Sequence, residues 1–232
     1  MHLADTAGAT APRFDIYLPI HKGLRAFMCH LLPRVGCLDT DDETAVAQVL
    51  ESLGVLLRLC ASHLRKEDSL VHPALEARMP GATAQVADDH RSHGVSLDIL
   101  EAQAALMARS RGHARAASAL RLYRLLAVMV GESLVHMHQE ETELNAALWR
   151  THGDDELRAL EARIVSTLGP EEAVVGMRWI LQALSPAERL AFLQPIRDQA
   201  PPEVLADILE GVRPHLSVAD WGKLEQGLRK AA

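Results

Sequence analysis

Apolar residues recur at helical spacing along four long stretches of the chain. The first, FDIYLPIHKGLRAFMCHLLPRVG, predicts a helix over 14–36 that stops near Gly36. Thr40 followed three places later by Glu43 reads as a capping box, opening a second helix that runs through VAQVLESLGVLLRLCASHLRKEDSLV until it meets Pro73. After the breaker MPGAT a third helix spans 84–109. A fourth spans about 114–148 beyond Gly112. Four long helices on short connections predict an all-α, up-down-up-down four-helix bundle.

From Gly153 onward the apolar runs shorten to three or four turns, each with its own start signal. Asp154 can cap one, Gly169-Pro170 opens another, and Ser185-Pro186-Ala187-Glu188 joins a first-turn proline to a capping box. Pro201-Pro202 and Ser217 begin two more. The expected organisation is a loose lead-in (1–12), the bundle (13–152) and an additional C-terminal segment of short helices (153–232). No Gly/Ser linker separates the last two parts, so the extension should pack on the bundle.

Composition narrows the class further. Of 232 residues 48% are hydrophobic but only 3% aromatic, which disfavours sandwiches and barrels that need aromatic and β-branched strand pairs. A formal charge of −7 gives no general attraction to nucleic acid or to an anionic membrane. Cys29, Cys37 and Cys60 form an odd set without CxxC spacing, and the opening MHLADTAGATAP lacks the basic and apolar regions of a secretory signal, so a reducing, cytoplasmic setting is expected. The apolar run LLAVMVG is far short of the roughly 20 residues a span needs, and no membrane segment is predicted.

Twelve histidines are present, and all except His215 fall within the first 152 residues. HLRKEDSLVHPAL (63–75) aligns without gaps to HMHQEETELNAAL (136–148), placing His63 on His136, Glu67 on Glu140 and Asp68 on Glu141. His63 and Glu67, like His136 and Glu140, are four residues apart, which stacks each pair on one helix face about 6 Å apart along the axis. Imidazole with carboxylate suits iron, manganese or zinc, and a carboxylate can bridge two ions about 3.5–4 Å apart. The remaining two long helices each carry an interior histidine, His21 and His90. Four terminal histidines and two bridging glutamates fill about eight of the roughly ten to twelve positions around two such ions, leaving sites for a small ligand. Two ion pairs on solvated helix faces would be the plain alternative for either pair alone; the repeat argues against it.

The pattern His21, His63-x3-Glu67, His90, His136-x3-Glu140 resembles the hemerythrin-like (HHE cation-binding) family over about residues 15–150. IHKGLR around His21 and EDxxxxPAL from Glu67 add to the likeness. The resemblance implies a four-helix bundle holding two non-haem iron ions with an oxo or hydroxo bridge, which meets dioxygen, nitric oxide or peroxide in sensing, storage or detoxification. Its metal ligands would be His21, His63, Glu67, His90, His136 and Glu140, with no separate catalytic residue. Oxygen-carrying members place a fifth histidine where this chain has Gly94, and their helix-four carboxylate matches Glu141; the internal repeat favours Glu140 instead. The missing histidine shifts weight from reversible oxygen carriage toward oxidation, peroxide chemistry or sensing, and His93 is a candidate partial replacement.

Two rival readings stand beside this one. A ferroxidase or peroxidase of the ferritin-like type would carry Glu-x-x-His, which the chain lacks. An interaction protein with a structural zinc would use the extra helices to bind a partner, and a homodimer through those helices is one such arrangement. Bis-histidine haem would leave the repeated glutamates without a purpose. Among single residues, Tyr17 one turn before His21 can either donate into the pocket or pack in the core near the bundle end, Glu132 reads as solvated, and Cys60 as a buried thiol rather than a redox sensor. Leu24, Leu59, Leu97 and Met129 are expected to exclude water. His30, His72, His113, His138 and His152 are expected at the surface, as is the acid-free segment RSRGHARAASALRLYR. Trp179 and Trp221 are expected to anchor the C-terminal helices.

Overall fold

The computed structural model describes residues 13–230, and among them every regular element is helical. The expected lead-in, 1–12, lies outside the described residues. Helix α1, Leu18–Gly36, starts later than the apolar pattern suggests, because Asp15 folds over the entry and its Oδ1 accepts the amides of Tyr17 and Leu18 at 3.0 Å each. Pro19 then sits in the first turn, where a missing N–H costs nothing.

Helix α2 spans Glu43–Lys66, but the Thr40–Glu43 capping box does not form. Asp42 is the cap, its Oδ1 accepting Thr44 N–H at 2.9 Å and Ala45 N–H at 3.0 Å. Glu43 instead turns to Arg115, which is 2% exposed and donates to both carboxylate oxygens (2.8 and 3.1 Å) and to the Thr40 carbonyl (3.0 Å). A buried guanidinium left unpaired would cost far more than one helix cap. Arg115 thus corrects the expectation that its arginine-rich segment is wholly a solvated face.

Two π-turns interrupt the expected helices. The second helix passes from α2 through a π-turn at Glu67–Val71 into α3, His72–Glu76. Pro73 does not stop the chain, because it falls in the first turn of α3. Helix α4 covers Ala84–Arg109, as the breaker pattern predicts. Helix α5, Gly112–Gln139, leads through a second π-turn at Glu140–Leu144 into α6, Asn145–Thr151. The wider i→i+5 bonds are visible where His72 N–H reaches the Glu67 carbonyl and Asn145 N–H reaches the Glu140 carbonyl.

The long helices meet in a closed ring: α1 lies against α2 and α5, and α4 lies against the same two. Leu31, Leu53, Leu56, Leu100, Leu122 and Leu126 fill its centre, each at most 1% exposed. Full burial of one such side chain stabilises the fold by about 1.5–3 kcal/mol. A second apolar cluster of Tyr17, Val71, Leu75, Val86, Leu144, Leu148 and Leu157 closes the opposite end. Glu43–Glu76 passes by length and composition for a membrane span. Its residues Val46, Val49, Leu53, Leu56 and Leu57 are nonetheless buried in the protein core.

The remaining helices are α7 (Asp154–Ser166), α8 (Pro170–Ala183), α9 (Pro186–Gln199), α10 (Pro202–Val212) and, after a 3-10 turn at Arg213–His215, α11 (Val218–Lys230). The Ser185–Glu188 capping box forms at the start of α9. Asp154 is not the cap of α7 but its first residue, the cap being Gly153; its carboxylate is taken by Arg13 (2.5 Å) and by the Phe14 amide (3.2 Å). Helix α8 lies along α1, so close at Gly23 that an added Cβ would come 3.0 Å from the Ile180 backbone nitrogen. Trp179 stacks on Phe27 of α1 with ring centroids 4.2 Å apart, and Trp221 packs against the extension's own core of Leu181, Leu184, Leu193, Val212 and Leu224. Lys22–Glu188 (2.7 Å) and Lys66–Glu172 (2.7 Å) tie the two parts together.

Candidate metal centre

All six side chains singled out in the sequence converge in one layer between the two apolar clusters. His21 of α1 and His63 of α2 bring their Nε2 atoms to 3.2 Å, and His90 of α4 and His136 of α5 bring theirs to 3.0 Å. Glu67 and Glu140, the first residues of the two π-turns, lie between these pairs. Glu140 Oε2 is 3.4 Å from His21 Nε2, while its Oε1 is 3.4 Å from His90 Nε2 and 3.3 Å from His136 Nε2. Glu67 mirrors it: Oε1 is 3.8 Å from His21 Nε2, and Oε2 is 3.3 Å from His63 and 3.7 Å from His90.

Two sets of ligand atoms follow from these distances, His21, His63, Glu67 and Glu140 in one and His90, His136 and Glu140 in the other, each set within 4.8 Å. Both can hold a metal ion, and they share Glu140. Among the described residues none of the four carboxylate oxygens of Glu67 and Glu140 has a hydrogen-bond partner, although both residues are at most 3% exposed. Leaving such anions unpaired in a core is expensive. Cations between them answer the cost, so the residues present fit a metal.

The imidazoles are held from behind. His90 Nδ1 lies 2.8 Å from Asp68 Oδ1, which is also 3.1 Å from His72 Nδ1. His21 Nδ1 lies 3.1 Å from Glu141 Oε1, and Arg25 grips that carboxylate with two bonds of 2.5 and 2.9 Å. An acceptor behind Nδ1 fixes the proton there and leaves Nε2 free to ligate. The sequence alone gives Asp68 no role and prefers Glu140 to Glu141 as a ligand while leaving Glu141 open as an addition to the shell. The signal was present, since the repeat aligns these two acids and each supports the histidine of a different long helix. His72, expected at the surface, is 5% exposed and stacks on His90 with ring centroids 4.9 Å apart.

Charge sets the protonation pattern. Burial opposes a charge on His21, yet Glu141, Glu67 and Glu140 outweigh it and push it up to about 9. Burial likewise opposes a charge on His90, where Glu140, Glu67 and Asp68 prevail and bring it to about 9. His63 falls well below the ordinary range through burial and the charge on His21. Burial and the neighbouring Glu140 lift Glu67 to about 7, whereas Glu140 is lowered because His136 and His90 outweigh its burial.

The surroundings sort the other candidates. Tyr17 stacks on His21 (5.2 Å between centroids), its buried hydroxyl has no partner, and burial beside Glu140 and Glu67 raises it well above the ordinary tyrosine range. His93 stands edge-on to His136 (4.7 Å) and is lowered to about 4 by burial and by the charges of His136 and His90. It belongs to neither set of ligand atoms. A Cβ at Gly94 would meet nothing within 4 Å; His93 rather than residue 94 lines the space beside the centre. Glu132 is exposed, and burial pushes the Cys60 thiol up to about 12. A cavity of about 30 Å³ touches one histidine of each set, His63 and His136, and is otherwise walled by groups such as Leu24, Leu97, Met129 and Cys60. Comparison of the chain with family models, with curated proteins and with solved structures returns no match.

Proposed function

We propose that this chain is a hemerythrin-like protein: an up-down-up-down four-helix bundle whose buried layer holds two non-haem iron ions and binds or reacts with dioxygen, nitric oxide or peroxide in the cytoplasm. The observation that carries the reading is the pair of ligand sets joined through Glu140. His21, His63 and Glu67 would hold one ion, His90 and His136 the other, with Glu140 serving both. Glu67 Oε2, 3.7 Å from His90 Nε2, is within reach of the second set as well. Bound iron supplies reversible electron transfer to a small oxidant.

The chain's own residues do the rest. Asp68 and Glu141 orient two imidazoles, and Leu24, Leu59, Leu97 and Met129, all at most 8% exposed, keep bulk water from the layer. The cavity of about 30 Å³ beside His63 and His136 exceeds the ~10–15 Å³ that one water needs but stays small, and so favours diatomic ligands over larger ones. Metal quantification on protein purified without added metal, with its near-ultraviolet and visible spectrum, tests the proposal. Two irons per chain and absorbance from the oxidised pair are expected, and His63→Ala and Glu140→Ala should each lose most of the metal. Zinc with a silent spectrum, or full metal content in both variants, would refute it.

A further inference from the structure

The extension roofs over one side of the metal-ligand layer and leaves a chamber there of about 220 Å³. Its floor is Tyr17, His63 and Glu67, and its walls are Ile16 ahead of α1, Leu59 of α2, Ile164 of α7, Met177 and Ile180 of α8, and Phe192 of α9. This space is separate from the small cavity between His63 and His136, and it is too large for a diatomic ligand to fill. Its lining also decides the charge of what enters. Lys66 lines the wall but is spent on Glu172 at 2.7 Å and on the Ser62 hydroxyl, so it offers no free cation. Burial raises the Glu161 carboxyl.

We infer that the chamber binds one uncharged, apolar organic molecule of about two fused rings and seats it against Tyr17, His63 and Glu67. A dry apolar cavity of about 150 Å³ takes up benzene; one half as large again has room for a second ring. The Tyr17 hydroxyl, without a partner among the described residues, gives such a molecule one polar atom to meet at that end. That the guest is presented to iron rests on the function proposed above; that it binds does not.

Gly176 lines the chamber on the face of α8 shared by Ala173 and Ile180, and a Cβ there meets nothing within 4 Å. Gly176→Phe therefore leaves the backbone unhindered at its Cβ and projects a ring into the space, and Ala173→Leu is a milder plug from the same wall. The probe is indole, titrated calorimetrically into the protein as purified, with metal content measured on the same samples. Saturable binding of one indole per chain is expected, weakened about tenfold or more by either plug, retained in Gly176→Ala, and accompanied by equal metal content in all four proteins. Absence of binding to the wild-type protein, undiminished binding by both plugged variants, or binding that emerges only after residues 1–12 are removed would overturn the inference. Indole binding by protein that carries no iron would sustain it while removing the functional proposal.

Discussion

At the scale of single side chains, the acids behind the imidazoles tune the centre as much as the ligands facing it. Asp68 accepts from His90 through an oxygen that also lies 3.1 Å from His72 Nδ1, and an amide in its place removes the negative charge that both rings face. Asp68→Asn should weaken metal binding about 10–100-fold, the usual effect of losing such a support. Competition against a chelator measures this, with Asp88→Asn, at an exposed position paired only to Arg91, as the silent control. Protons compete at the same atoms. With His21 and His90 at about 9, both are charged in the metal-free protein at pH 7, and a charged imidazole has no lone pair to give. A bound metal ion must therefore displace these protons, and Glu67, at about 7, adds part of one more: adding ferrous ion at pH 7 should release about two to three protons per chain, seen with an indicator dye in weak buffer. The apparent affinity should climb as pH rises toward 9 and flatten above it. Uptake without proton release at pH 7 would mean that these two histidines do not ligate.

The helical elements deliver these side chains through their irregularities. Each of the two buried glutamates opens a π-turn, where one extra residue in the helix lets the chain present Glu67 or Glu140 inward and still return Leu75 or Leu148 to the second apolar cluster. Deleting Thr142, an exposed residue of the second π-turn, should restore regular α-helical bonding and turn the Glu140 carboxylate out of position. Circular dichroism should show unchanged helix content while metal uptake falls at least about tenfold; retained uptake would show that the π-turn is incidental. The sequence makes the repeat legible, and with it six converging residues, because an i,i+4 pair lies on one face whatever follows it. It does not make the π-turns legible, since EDSLV and EETEL have ordinary helix propensity and the extra residue is chosen by what the two ends must pack against. Asp42, Glu43 and Arg115 are a similar case: a capping box satisfied on local grounds yields to a buried guanidinium contributed from 72 residues away. His72 misleads for the same reason, one turn past a pattern that predicts the ring's helix but not the acid of Asp68 that draws it inward.

In the molecule as a whole, a polar layer lies between two apolar clusters, and the extension shields the flank that holds His63 and Glu67. Start signals at Gly169, Ser185, Pro201 and Ser217 make its helices legible one by one, whereas their placement rests on long-range features such as Gly23, where α8 approaches α1 to within a side chain's width. Gly23→Val tests that dependence. The added methyls meet Ile180 backbone, which cannot swing aside as a side chain could, so α8 must lift away, at a cost of about 1–3 kcal/mol. None of the proposed ligands lies in 153–232, and the extension has a core of its own. The expected result is an earlier thermal transition with loss of the near-ultraviolet dichroism of the stacked Trp179–Phe27 pair, while iron content stays at the wild-type level. Joint loss of bound metal and extension in a single transition would show instead that the four long helices cannot keep the histidine–glutamate layer without the roof, making residues 153–232 part of that layer's stability rather than an addition to it.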